Sequence, residues 1–254
     1  MTLSDRLRLD GRIAFVTGAA AGIGRTTARL LGERGARSVH LLDLDGKGLA
    51  DAAAEVEGAG AGATAHVLDA ADWEGLSALV PQLGPVSLLV NAAGNTAGSS
   101  FVDLGRDEWD ATLRSHLRST FVTCRLFAPG MVDRGDGRIV NIASVAGKRG
   151  GGFLGKTAYA GAKAGVNGLT KAIARELAAL GVRVNSVNPG LTDTRRLESL
   201  RSDPQVWSRC LAAVPLGRVA TTEEVAAAIL YLLSDASAYV TGETLNVDGG
   251  VAME

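Results

Sequence analysis

Tyr159 and Lys163 stand four residues apart in the run Tyr159-Ala160-Gly161-Ala162-Lys163. On a helix that spacing puts both side chains on one face, about one turn from each other. A phenol titrates near ~10 in water, too high for ready proton exchange at neutral pH. An ammonium beside it stabilises the phenolate and brings that value down. The pair is therefore a candidate general acid/base with its own tuning charge. Ser144 lies fifteen residues upstream of Tyr159, just past the apolar run 138–142. A strand ending at the serine and a helix starting at the tyrosine, joined by a glycine-rich loop, can bring both hydroxyls to one carbonyl oxygen. A Tyr–Lys pair also arises by chance in many helices, so its weight depends on what surrounds it.

The surroundings are an alternation of strands and helices. Apolar runs at 13–16, 38–42, 65–68, 88–90, 138–142, 183–187 and 244–247 read as strands. Helical patterns occupy 24–34, 49–56, 73–80, 108–132, 158–179 and 223–233. That order predicts an α/β fold with a doubly wound parallel sheet of about seven strands and helices on both faces. No linker, repeat or charge run divides the chain, so one domain over 1–254 is expected. The Gly-Ala stretch 58–63 reads as a loop.

Composition narrows the classes. With 46% hydrophobic and 21% charged residues among 254, the chain can bury a substantial core and is not disordered. A net charge of −1 gives no support for binding nucleic acid or an anionic membrane. Cys124 and Cys210 match no metal or redox spacing and read as free thiols in a reducing compartment. No metal site is expected. Residues 1–11 lack a signal-peptide core and no stretch approaches a membrane span, so the expected location is the cytoplasm.

The first strand runs into Thr17-Gly18-Ala19-Ala20-Ala21-Gly22-Ile23-Gly24, and a helix follows. Glycines there let the backbone turn tightly, and the helix N-terminus offers free N–H groups to a phosphate. Asp43 ends the second strand, nineteen residues past Gly24. A carboxylate at that distance can accept hydrogen bonds from both ribose hydroxyls of an adenosine and repels a 2′-phosphate. No basic residue is placed beside it, so NAD is expected over NADP. Asp45 could share the role. Asp69 is a candidate for the adenine amino group or for a helix cap near Trp73. Asn91-Ala92-Ala93-Gly94 ends the fourth strand with small residues that leave room for a flat ligand.

Thr17 to Gly24, Asn91 to Gly94, Ser144 and Tyr159 to Lys163 occur in the order and roughly at the distances of the short-chain dehydrogenases/reductases. Asn188-Pro189-Gly190 with Thr194, Pro215-Leu216-Gly217-Arg218, and Val247-Asp248-Gly249-Gly250 resemble later segments of that family. The likeness spans about 9–250. It implies a Rossmann fold and hydride transfer between a nicotinamide and an alcohol or carbonyl carbon. It implies Tyr159 as the acid/base, Lys163 as its tuning charge and ribose ligand, and Ser144 as the group that holds the substrate oxygen. The dinucleotide contacts implied are Gly18, Gly22, Ile23, Gly24, Asp43, Asp69, Ala70, Asn91, Ala93, Gly94, Tyr159, Lys163, Pro189, Gly190, Thr192 and Thr194. A homotetramer built on the two long helices is also implied.

One departure stands out. Where the family places an asparagine seven residues after a tryptophan, this chain has His116 after Trp109. The asparagine supports a helix kink and a water chain to the lysine. A histidine there could keep that relay with a new pH dependence, weaken it, or serve another use. The segment at about 191–214 interrupts the alternation and corresponds to the family's substrate lid. Its Arg195, Arg196, Arg201, Arg209 and Trp207 could favour an anionic or aromatic substrate, and an exposed amphipathic helix explains them equally well. The expected partner is a small alcohol or ketone. A 3-oxoacyl thioester reduced with NADP is the alternative, and a dinucleotide-binding protein without turnover is a third.

Overall fold

Helices follow strands along the whole chain. The computed structural model describes residues 2–95 and 98–253. The expected span of 1–254 ends on Met1 and Glu254, which lie outside the described residues. In order the elements are α1 (Leu3–Arg6), β1 (Ile13–Thr17), α2 (Gly22–Glu33), β2 (Ser38–Asp43), α3 (Gly46–Gly58), β3 (Gly62–Val67), α4 (Trp73–Leu79) and β4 (Leu88–Asn91). There follow α5 (Arg106–Leu113), α6 (Ser119–Arg134), β5 (Gly137–Ile142), α7 (Val145–Arg149), α8 (Thr157–Leu177) and β6 (Val182–Pro189). The chain closes with α9 (Glu198–Arg201), α10 (Pro204–Ala212), α11 (Thr222–Leu233) and β7 (Thr244–Val247).

The seven strands form one sheet in the order β3-β2-β1-β4-β5-β6-β7, with every neighbouring pair parallel. β1 is buried along its whole length, as a strand covered on both faces must be. Its side chains alternate between two cores. Ala14 and Val16 meet Leu31 of α2, Val56 of α3 and Ile229 of α11. Ile13 and Phe15 meet Leu76 of α4, Phe127 of α6 and Ala174 of α8. The period of two along a strand produces this division. The chain winds outward from β1 to β3, returns to β4 beside β1, then winds outward the other way. The crossovers therefore diverge between β1 and β4 and leave a crevice at the strands' carboxyl ends.

All seven expected strands are present. β3 starts at Gly62, inside the stretch read as a loop, because Gly62 and Ala63 pair with Ser38 and Val39 of β2. The helix expected over 108–132 is interrupted. α5 passes through one π turn, Arg114–Arg118, before α6 begins. A π turn carries one extra residue per turn and so displaces the side chain at its centre. That side chain is His116, which is buried. The segment 191–214 folds into a short 3-10 turn at Arg195–Leu197, then α9 and α10. Leu197, Leu200 and Cys210 form a small core there, joined by Leu154 and Trp207. Among the described residues, no helix is long and apolar enough to cross a membrane.

Candidate active site

The crevice between β1 and β4 opens into a cleft of about 1010 Å³. Its phosphate end is built by the β1–α2 turn. Gly18 sits at φ +66, and a Cβ on it would lie 2.7 Å from the Ala92 carbonyl. Glycine is required there on both counts. Thr17 Oγ1 accepts hydrogen bonds from the Ala92 N–H at 3.1 Å and the Ala93 N–H at 3.2 Å, tying the ends of β1 and β4 together. The residue before α2 is Ala21, which has no side-chain acceptor to cap the helix. The first N–H groups, at Gly22, Ile23 and Gly24, therefore face the cleft without a side-chain cap. A glycine cradle under an uncapped N-terminus fits a dinucleotide's pyrophosphate. Thr194 closes this end from above, since a Cβ on Gly22 would lie 3.3 Å from its methyl carbon.

Asp43 lies at the adenosine end. Its Oδ2 accepts from the Ala20 N–H at 3.1 Å, and Oδ1 accepts from the N–H groups of Leu44 at 2.7 Å and Asp45 at 3.2 Å. Three backbone donors fix the carboxylate and leave lone pairs for hydroxyl donors. The arginines that line this end of the cleft are already paired. Arg25 holds Glu55 at 2.8 Å, and Arg29 holds Glu33 and Glu223. Asp45 caps α3 through the Gly48 N–H at 3.0 Å. Asp69 accepts from the Ala71 N–H at 2.8 Å and pairs with Arg114 at 2.7 Å. The cap near Trp73 is Asp72 instead.

The reacting end gathers side chains from three elements. Ser144 ends the β5 run and caps α7, its Oγ accepting from the Ala146 N–H at 3.1 Å. Its own N–H donates to Asn188 Oδ1 on β6 at 3.1 Å. With Oγ already accepting, its hydroxyl proton is free to be donated to a substrate oxygen. Tyr159 and Lys163 project from α8, the ammonium 5.8 Å from the phenol ring centre. Lys163 Nζ donates to the Ile142 carbonyl at 2.6 Å. Burial, and then the positive charge of Arg196, push Lys163 down to about 7.

His116 reaches the same place from the π turn. Its ring stands edge-on to Tyr159, with centroids 5.1 Å apart. Its Nε2 donates to the Asn95 carbonyl, and its buried Nδ1 has no hydrogen-bond partner among the described residues. Burial, followed by the charges of Lys163 and Arg196, pushes it down to about 2. Burial thus favours the neutral imidazole at this position. The ring lies where a Cβ on Gly94 would fall, and Gly94 itself has φ +146.

Ser144, Tyr159, Lys163 and His116 share the cleft's lining with every expected dinucleotide contact except Asn91. Asn91 ends β4. Its side chain turns into the core, where Nδ2 donates to Asn141 Oδ1 at 2.9 Å and Oδ1 accepts from Thr123 Oγ1 at 2.7 Å. A buried amide needs both groups satisfied, and the neighbouring helix and strand supply the partners. Two contributors escaped the sequence reading. The Ile142 carbonyl that holds Lys163 carries no residue-type signal, and Asn188 was legible only as part of a turn motif.

A family model described as enoyl-(acyl carrier protein) reductase matches residues 18–252. The chain is 37% identical over 251 residues to a 3-oxoacyl-[acyl-carrier-protein] reductase, FabG, of Thermotoga maritima, covering 97% of this chain and 100% of the relative. A solved Beutenbergia cavernae structure, named for an NAD(P)-dependent gluconate 5-dehydrogenase with bound NADP, superposes with a TM-score of 0.91. It is 38% identical and covers 97% of this chain and 98% of that one. An Agrobacterium tumefaciens structure named for a 2-deoxy-D-gluconate 3-dehydrogenase, also with bound NADP, gives 0.90 at 34% identity, with the same coverage of both chains. The chain belongs to the short-chain dehydrogenase/reductase family and is an oxidoreductase with a nicotinamide dinucleotide cofactor.

Proposed function

We propose that the chain transfers a hydride between a nicotinamide dinucleotide and the carbinol or carbonyl carbon of a small secondary alcohol or ketone. The observation that carries this is the convergence of Ser144, Tyr159 and Lys163 on one cleft that begins at an uncapped helix N-terminus. The nicotinamide, when bound, supplies or accepts the hydride. Tyr159 gives its phenol proton to the carbonyl oxygen in reduction and takes it back in oxidation. Lys163 stabilises negative charge as it develops on the phenol oxygen, and Ser144 donates a hydrogen bond to the same substrate oxygen. Residues 191–214 close over the substrate as a lid, which excludes water from the reacting atoms.

Asp43 supports NAD as the dinucleotide, because a fixed carboxylate repels a 2′-phosphate and the neighbouring arginines are paired. A second reading is favoured by the relatives, and more strongly than the first. Structural neighbours carry NADP, and sequence relatives are named as 3-oxoacyl reductases. On that reading the chain is an NADP-dependent reductase of 3-oxoacyl thioesters. Assembly as a homotetramer belongs to the same proposal, and the exposed Trp109 of α5 and Phe121 of α6 support it.

Fluorescence titration with NADH and with NADPH, followed by turnover of a panel of ketones and a 3-oxoacyl thioester, separates the readings. Tighter NADH binding with ketone turnover supports the first, and tighter NADPH binding with thioester turnover supports the second. Tyr159→Phe should keep dinucleotide binding and lose turnover by about a hundredfold or more. Full turnover in that variant would remove the mechanism.

A further inference from the structure

Arg196 sits in the 3-10 turn Arg195–Leu197 and lines the same cleft as Ser144, Tyr159 and Lys163. Its Nη2 donates to the Gly94 carbonyl across the cleft. Gly94 packs against His116, and His116 against Tyr159, so this hydrogen bond brings the guanidinium to the reacting end. Among the described residues Arg196 makes no ion pair. The one carboxylate that the 191–214 segment adds to the cleft's lining is already engaged, with Asp193 held by Arg201 at 2.9 Å. Arg201 is stacked 5.1 Å from the Trp207 ring. Two more arginines of the cleft's lining, Arg149 at the end of α7 and Arg195 next to Arg196, make no ion pair among the described residues. The reacting end therefore presents cationic side chains with no carboxylate of the described residues to neutralise them.

We propose that Arg196 anchors a carboxylate on the substrate, so that the site takes a secondary alcohol or ketone that is also an acid. A guanidinium offers a planar fork of five donors suited to a carboxylate, and the single bond to Gly94 leaves the others available. The dinucleotide's own phosphates are the competing anion. The glycine turn at Gly22, with Thr194 overhead, is built for them, whereas Arg196 bonds to Gly94, which packs against His116. Recognition of the acid would also help the chemistry. The charge of Arg196 is one of the causes that hold Lys163 low. A bound carboxylate offsets that charge and favours the ammonium that Tyr159 requires. The inference rests on the hydride-transfer reading only for the identity of the reacting group.

The test is binding to the complex of the protein with whichever reduced dinucleotide it holds more tightly. Matched probes are titrated by quenching of the bound cofactor's fluorescence: 3-oxobutyrate against its methyl ester, and D-gluconate against D-glucitol. The expected result is a carboxylate preference of about tenfold or more in at least one pair, which Arg196→Gln reduces toward one and Arg196→Lys restores in part. Equal binding within both pairs, no binding by either acid, or a preference that Arg196→Gln leaves intact overturns the proposal. So does an Arg196→Gln effect confined to dinucleotide affinity. Turnover is scored separately. A carboxylate preference without hydride transfer removes the redox reading and leaves the anion site. Turnover of the neutral probes alone removes the anion site and leaves the redox reading.

Discussion

The imidazole of His116 stands edge-on to the phenol of Tyr159, with ring centres 5.1 Å apart and planes at 83°. Its Nε2 is tied to the Asn95 carbonyl, so the ring holds the β4 loop and the tyrosine together. His116→Ala removes both contacts. We expect kcat to fall about tenfold with little change in dinucleotide affinity. Steady-state kinetics with fluorescence titration checks the split.

The same residue makes a stability prediction. The folded protein holds His116 at about 2, whereas an unfolded chain titrates it near ~6.5. Below that ordinary value the unfolded state binds a proton that the folded state refuses. Stability therefore falls as pH falls, by at most about 1.4 kcal/mol per pH unit from this group. His116→Asn should lose stability less steeply between neutral and mildly acid pH in urea titrations. His40 and His66, also lowered chiefly by burial, are unchanged by the substitution. Equal slopes in the two proteins would show that His116 takes up its proton in the native state.

Lys163 gives the mirror case on the alkaline side. Its folded value is about 7, and an unfolded lysine titrates near ~10.4. Between those values the unfolded chain carries a proton that the folded chain has lost, so stability rises with pH. Lys163→Met should flatten that rise and reduce turnover by about a hundredfold or more. Urea midpoints measured across this range on the dinucleotide-free protein decide it.

Asp43→Ala removes the proposed ribose acceptor and releases the N–H groups of Ala20, Leu44 and Asp45. If the first cofactor reading holds, the ratio of NADH to NADPH affinity should fall about tenfold or more. An unchanged ratio would remove Asp43 from cofactor choice.

Gly155→Ala tests the seating of Tyr159. A Cβ on Gly155 would meet the phenol ring. Overpacking of this kind costs about 1–3 kcal/mol, and here the tyrosine must move. Turnover should drop about tenfold or more while dinucleotide binding holds. Calorimetric Tm and kcat, measured on the same preparation, show whether the two effects travel together.

The strands were legible because a sheet covered on both faces demands unbroken apolar runs, and Ile13, Val16, Leu88 and Ile139 supply them. Ser144, Tyr159 and Lys163 were legible because chemistry restricts residue type and a helix fixes spacing. The direction of the Asn91 side chain was not legible. Its position in a motif names its neighbourhood, but only packing against Thr123 and Asn141 decides which way the amide faces.

By itself the sequence determined the alternation of strand and helix, the glycine turn, and the spacing of the proposed acid/base pair. These depend on local period and on side-chain chemistry. The tertiary structure decided the π turn that delivers His116 to Tyr159, the carbonyl that holds Lys163, and the reach of Arg196 to Gly94. Those depend on contacts between residues far apart in the chain, Arg196 and Gly94 among them. No local pattern encodes such a contact, because it exists only once the sheet has brought the ends of β4, β5 and β6 together.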